Sequence, residues 1–204
     1  MRLSGEDGEF LVRLARRAAE TYLNSRRVID PPKETPSHLR VKAGVFVTIN
    51  NLTAEGKTLR GCIGLPRPIK PLVEAVIESA INSAVRDPRF SPMRPEELKR
   101  VVFEVSVLTP PELIEVDSPL EYPEKIVIGR DGLIIEKGFL SGLLLPQVPV
   151  EYGWDAEEYL SHLCMKAGLT PDSWISKDVK VYRFEGVVFE EEAPEGEVAR
   201  KALT

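Results

Sequence analysis

Six consecutive residues, Leu59-Arg60-Gly61-Cys62-Ile63-Gly64, place a guanidinium, a thiol and two glycines side by side. A deprotonated thiol is a nucleophile, and a nearby arginine stabilises its anion or receives an anionic ligand group. Glycines inside a strand are tolerated where the backbone bulges or a ligand comes close. Cys62 is therefore a candidate nucleophile, and Arg60, Gly61 and Gly64 are candidate ligand contacts. Asp87 and Arg89, in Asp87-Pro88-Arg89-Phe90, supply a candidate acid or base and a second candidate anion contact. Pro146 to Trp154 adds Gln147, Glu151 and Trp154 as further candidate ligand contacts.

Each of these residues also has a purely structural reading. Free cysteine is among the most buried residue types and commonly acts as a small hydrophobe. Strand alternation puts Arg60 and Cys62 on one face, with Leu59, Gly61 and Ile63 on a core-facing one. A guanidinium is rarely buried alone, so Arg60 either meets a carboxylate, with Asp87 the leading choice, or reaches a cleft and takes an anion. Asp87 can simply pair with Arg86 or Arg89, and Trp154 can staple Tyr159 across a helix start. The catalytic reading also lacks a base: neither His38 nor His162 lies in a motif that sets it beside Cys62. Cys62 and Cys164 stand far apart, and no CxxC or HxxxH spacing occurs, so neither a metal nor a cofactor is expected.

The elements that must position these residues are legible in outline. Residues 4–23 carry apolar side chains at helical spacing, with Arg13, Arg16 and Arg17 read as a solvated face. A proline-rich loop, 30–36, follows. Residues 44–49 form a strand, 52–57 a turn, and the Arg-Gly-Cys stretch the returning strand of a hairpin. A helix over 69–86 shows two adjacent apolar columns wide enough to cover a sheet face, with Pro71 in its first turn. A helical turn over 95–100 leads to a third strand, 101–108, ended by two prolines. Ile126–Ile128 and Leu133–Ile135 flank Asp131-Gly132 as an expected hairpin. Asp155, with Glu158 three positions on, is an expected N-cap, and Gly168 the left-handed end of that helix. The last strand is expected over 179–189, with a loose tail from Glu190.

Composition bounds the rest. The 204 residues are 43% hydrophobic and 29% charged, with two cysteines and a net charge of −5. No apolar run is long enough for a membrane span, and the first ten residues hold no secretory pattern, so a reduced cytoplasmic protein is expected. The first 110 residues carry 18 Lys and Arg against 13 Asp and Glu, whereas the remainder carries 9 against 19. Overall acidity argues against general nucleic-acid binding, although the basic half suits an anionic ligand or an acidic partner. A lobe boundary is expected near Pro111, where composition turns acidic.

The chain resembles the AMMECR1 family over about residues 5–190. The resemblance rests on GVFVTI (44–49), LRGCIG (59–64), DPRFSP (87–92), VSVLTP (105–110), IGRDGLII (128–135), LLLPQV (143–148), Trp154, CMKAGL (164–169) and Trp174. Pro149, where a small residue is expected, is the local departure and bears on the shape of that loop alone. The family implies an α+β fold of two lobes. A larger one, about 1–110 and 178–204, is built on an antiparallel sheet with flanking helices; a smaller inserted α+β lobe, about 111–177, has a short antiparallel sheet. It also implies that most LRGCIG side chains point into the larger lobe, and it carries no established activity. Prokaryotic relatives that accompany Memo-type and radical-SAM proteins suggest a shared pathway. Three functions follow: a ligand-binding or catalytic cleft near LRGCIG, taking a small anion; a non-catalytic adaptor binding a partner protein; and, ranked last, an RNA or nucleotide binder using the basic half.

Overall fold

The computed structural model describes residues 3–201. The chain divides into two compact units, the first running to Leu108 and resuming over Val187–Lys201, the second spanning Thr109–Gly186. The return to the first unit lies within a strand at Val187, some ten residues beyond the return expected near Lys177.

The first unit opens with α1 (Gly5–Ser25), whose N-cap Ser4 and Asp7 form a reciprocal capping box. That pairing satisfies two of the donors every helix start leaves open. β1 (Gly44–Thr53) and β2 (Gly56–Leu65) form a hairpin, then α2 (Leu72–Val85) leads to β3 (Val101–Leu108). Pro71 is the N-cap of α2 rather than a residue of its first turn. β1 is flanked by β2 and β3, both antiparallel. β3 neighbours β7 (Lys180–Glu191), which also pairs with β8 (Val198–Lys201). So β2 is a sheet edge.

Alternation along β1 sends Val45, Val47 and Ile49 to one face, where they are wholly buried against α1 and α2. Both expected columns of α2 are buried in that core, apart from half-buried Val85. Two expectations fail here. Arg16 is buried, not solvated: it grips Glu191 at 2.6 and 2.7 Å and donates to the carbonyls of Leu98 and Val101. The tail is likewise not loose as far as it is described, because Glu191 anchors Arg16 and β8 pairs beside it; the final three positions lie outside the described residues. A run of three glutamates looks solvated in sequence, and only the long-range partner reveals that one of them is buried.

The second unit contains β4 (Glu112–Leu113), α3 (Tyr122–Lys125), β5 (Asp131–Lys137), β6 (Leu140–Leu144), α4 (Gln147–Tyr152), α5 (Ala156–Lys166) and the first part of β7. Its strands run in the order β6-β5-β7-β4. Their core side chains meet Tyr159, Leu160 and Leu163 of α5. The expected Asp131-Gly132 hairpin is not formed. The hairpin turn lies at Gly138 (φ +58°), while Asp131 opens β5 with its carboxylate buried, accepting from Val127 N and Arg130. The expected capping box of α5 is present at Asp155 and Glu158, and Gly168 follows the helix with φ +77°.

Candidate functional site

β2 contains a bulge. Ile49 faces Gly61 but Asn50 faces Leu59, so Arg60 is the extra residue. The bulge interrupts the alternation assumed from sequence and puts Leu59 on the face of Cys62, where it is exposed instead of buried. Gly61 keeps the helix-facing side. A Cβ there would lie 2.1 Å from the Ser83 carbonyl oxygen of α2, and one at Gly64 would lie 2.3 Å from the Val45 carbonyl. Both glycines are explained by close packing of protein on protein, and neither Cα leaves room for a ligand.

Side chains from α2 and the loop after it hold β2, Ser83 between the strands and Asp87 and Arg89 at the outer edge. Ser83 Oγ accepts from Ile63 N at 2.8 Å and donates to Val47 O at 2.7 Å, bridging the two strands. Asp87 accepts from Cys62 N at 2.8 Å, and Arg89 donates to Cys62 O at 3.3 Å. Together they give the exposed strand edge the partners that another strand would supply. Asp87 also takes two bonds from the Arg89 side chain and one from its backbone. Those bonds hold its carboxyl down at about 2, so it stays ionised at neutral pH and is poorly matched to acid–base work.

Arg60 does not meet Asp87. It pairs with Glu97, Nε to Oε2 at 2.8 Å and Nη2 to Oε1 at 3.3 Å, and Nη2 also reaches Ser91 O. Glu97 belongs to the turn of 3₁₀ helix Pro95–Arg100, too far along the chain for spacing to suggest it. Arg60 and Arg89 both approach the Phe90 ring, at 5.8 and 5.6 Å.

Cys62 points to the sheet face turned away from α1 and α2, since its register partner Thr48 alternates with the buried Val47 and Ile49. Thr48 Oγ1 donates to its sulfur at 3.3 Å. On the other side Thr48 faces Glu104 of β3, so Cys62, Thr48 and Glu104 form one cross-strand row. Exposure falls along the row: Cys62 and Thr48 are half-buried, and Glu104 is 5% exposed. Burial pushes the Glu104 carboxyl up despite Lys201 Nζ at 3.2 Å, and burial pushes the Cys62 thiol up as well. In the adjacent row, Ser106 is 2% exposed and its hydroxyl has no hydrogen-bond partner among the described residues. Sequence reasoning passed over Glu104 and Ser106. The available signal was one acid and one hydroxyl on the same face of the otherwise apolar strand Val101–Leu108.

Gln147, Glu151 and Trp154 lie in the second unit. Gln147 and Glu151 belong to α4, in place of the expected loop, and Pro149 is buried within that helix. Trp154 is stacked between Tyr152, at 4.9 Å, and His162, at 3.7 Å, so both faces of the indole are occupied. Trp154 is also packed against the core cluster that contains Tyr159, its expected staple partner. His38 is bonded to Asp7 at 2.7 Å. Among the described residues no group of three or more His, Cys, Asp or Glu is placed to hold a metal ion.

The fold and these residues define a mixed α+β protein, with an antiparallel sheet flanked by helices and an LRGCIG strand at its edge. The AMMECR1 family model matches residues 12–189, and the chain belongs to that family. A protein of Thermococcus gammatolerans is 62% identical over 203 residues, covering 99% of this chain and 98% of its own length. One of Pyrococcus abyssi is 60% identical over 203 residues with the same coverage. The crystal structure of an uncharacterized Pyrococcus horikoshii protein is similar, with a TM-score of 0.94 and 59% identity, covering 99% of this chain and all of that one. Among the described residues no helix is long and apolar enough to cross a membrane.

Proposed function

We propose that the sheet face carrying Cys62 is a small-molecule site, binding or acting on a ligand through Cys62 and Glu104 beside the LRGCIG strand. The observation that supports this most is the row Cys62–Thr48–Glu104. A ligand lying over Thr48 meets a thiol on one side and, on the other, a carboxyl that burial pushes up from its ordinary value, the direction that favours proton transfer. Glu104 thereby fills the place of the base that neither histidine supplies. Ser106 offers a buried hydroxyl in want of a partner, a group that costs stability unless something bonds to it. Asp87 and Arg89 have a positioning role, holding the Cys62 backbone from the strand edge.

The test is to incubate the folded protein with a metabolite extract, recover it, and identify co-purifying molecules by mass spectrometry beside Cys62→Ser and Glu104→Gln. Enrichment by the native chain with loss in both variants is expected. Equal retention by all three, or no enrichment, overturns the proposal and leaves the stretch as architecture, the outcome a non-catalytic adaptor predicts. Association with Memo-type or radical-SAM proteins belongs to the same proposal and rests on family resemblance alone. A reducing, cytoplasmic setting is proposed from the two free cysteines.

A further inference from the structure

A second site is inferred from the groove beside Phe90, and it is independent of the thiol row. The groove is open, about 880 Å³, and its lining includes Arg60, Arg89, Phe90, Arg94, Glu97 and Arg100. That volume is ample for a small ligand. Arg60 and Arg89 are fixed in the same manner, each by a carboxylate that takes its Nε and Nη2: Glu97 for Arg60 and Asp87 for Arg89. Among the described residues the Nη1 of each has no hydrogen-bond partner. Two planar donors are thus held still with one nitrogen to spare, so their ordering cost is met before a ligand arrives.

The rim adds charge. Arg94 and Arg100 are exposed, and no ion pair holds either guanidinium among the described residues. Glu97 is matched by Arg60 and Asp87 by Arg89, which leaves Glu96 as the remaining acid of the lining against Arg94 and Arg100. A single carboxylate offers two oxygens, too few for this many guanidinium donors. A phosphate group carries nearly two charges and three acceptor oxygens, and its geometry suits the arginine fork. The groove does not favour nucleic acid: the chain is net acidic, and among the described residues Phe90, which already has both fixed guanidinium groups near its ring, is the one aromatic side chain of its lining.

We propose that this groove binds a small phosphorylated molecule, with Arg94 and Arg100 receiving the phosphate at the rim and Arg60 and Arg89 offering their spare Nη1 groups. The probe is inorganic pyrophosphate, titrated calorimetrically into the full chain at low and high salt, with citrate and a short single-stranded RNA in parallel. Binding of pyrophosphate in preference to both is expected, weakening as salt rises. Arg94→Gln and Arg100→Gln, both at exposed positions, are each expected to lower affinity about tenfold, the order of one charge-assisted hydrogen bond. Glu96→Gln is expected to tighten it. No binding of pyrophosphate, binding indifferent to both arginine substitutions, or preference for citrate or RNA overturns the proposal.

Discussion

Gly61→Ala tests whether the glycine of the motif serves packing or ligand approach. The added methyl would sit 2.1 Å from the Ser83 carbonyl oxygen, more than an ångström inside ordinary contact. The obstacle is helix backbone, which cannot swing aside as a side chain can. β2 and α2 must therefore separate, and overpacking of this kind costs about 1–3 kcal/mol. Separation also strains the Ser83 hydroxyl bridge between Ile63 N and Val47 O, two bonds worth about 1 kcal/mol each. With both bonds lost, the expected loss is therefore roughly 3–5 kcal/mol. It is read from the denaturant midpoint in guanidinium chloride with an unchanged slope. Gly5→Ala is the control, since a Cβ there meets nothing within 4 Å, and it should be neutral or slightly stabilising. A Gly61→Ala protein within about 0.5 kcal/mol of the parent, the usual scatter for harmless surface changes, would refute the packing explanation.

Three further outcomes follow from the same region. Arg60→Lys and Glu97→Gln should each destabilise, and the double variant should cost less than their sum because both remove one pair; additive losses, or coupling of Arg60 to Asp87 instead, would contradict the observed pairing. Asp87, held at about 2 against an ordinary value near 3.8, has a depressed native value. Its stabilisation of about 2 kcal/mol is present above the ordinary value and is lost as pH falls toward 2. In Asp87→Asn that part of the acid dependence of unfolding should vanish, and an unaltered profile would show that the carboxylate is not so held. Cys62, half-buried with its thiol pushed up, should alkylate slowly at neutral pH, faster as pH rises, and fastest on unfolding. Rapid native labelling mapped to Cys62 by peptide mass would contradict that.

Local rules carried much of the fold. The β3 limits, the α5 capping box and the apolar columns of α2 depend on neighbours within a turn or on strict periodicity, and sequence displays both. The failures share a different cause. Arg16 looked solvated because its partner Glu191 is 175 positions away, and Glu191 looked like tail because a run of acids gives no sign of a buried cation. Alternation sends Leu59 inward because it cannot foresee the bulge at Arg60, which appears only when β2 is registered against β1. The Asp131-Gly132 turn lost to a buried carboxylate bonded to Arg130 and Val127 N.

The candidate site divides along the same line. Sequence alone determined that LRGCIG is unusual, that Asp87 has a local partner in Arg86 or Arg89, and that the chain resembles one family over most of its length. Those properties reside in residue identity and short spacing. Tertiary structure decided what each residue does. It gave Arg60 to Glu97, filled the space at Gly61 with a helix carbonyl, and turned Asp87 and Arg89 toward the backbone of Cys62. It also set Glu104 beside Thr48 and Cys62, a neighbourhood produced by hydrogen-bonding three strands in one register. Strand pairing joins residues by lateral distance, and lateral distance leaves no trace in the spacing of a single chain.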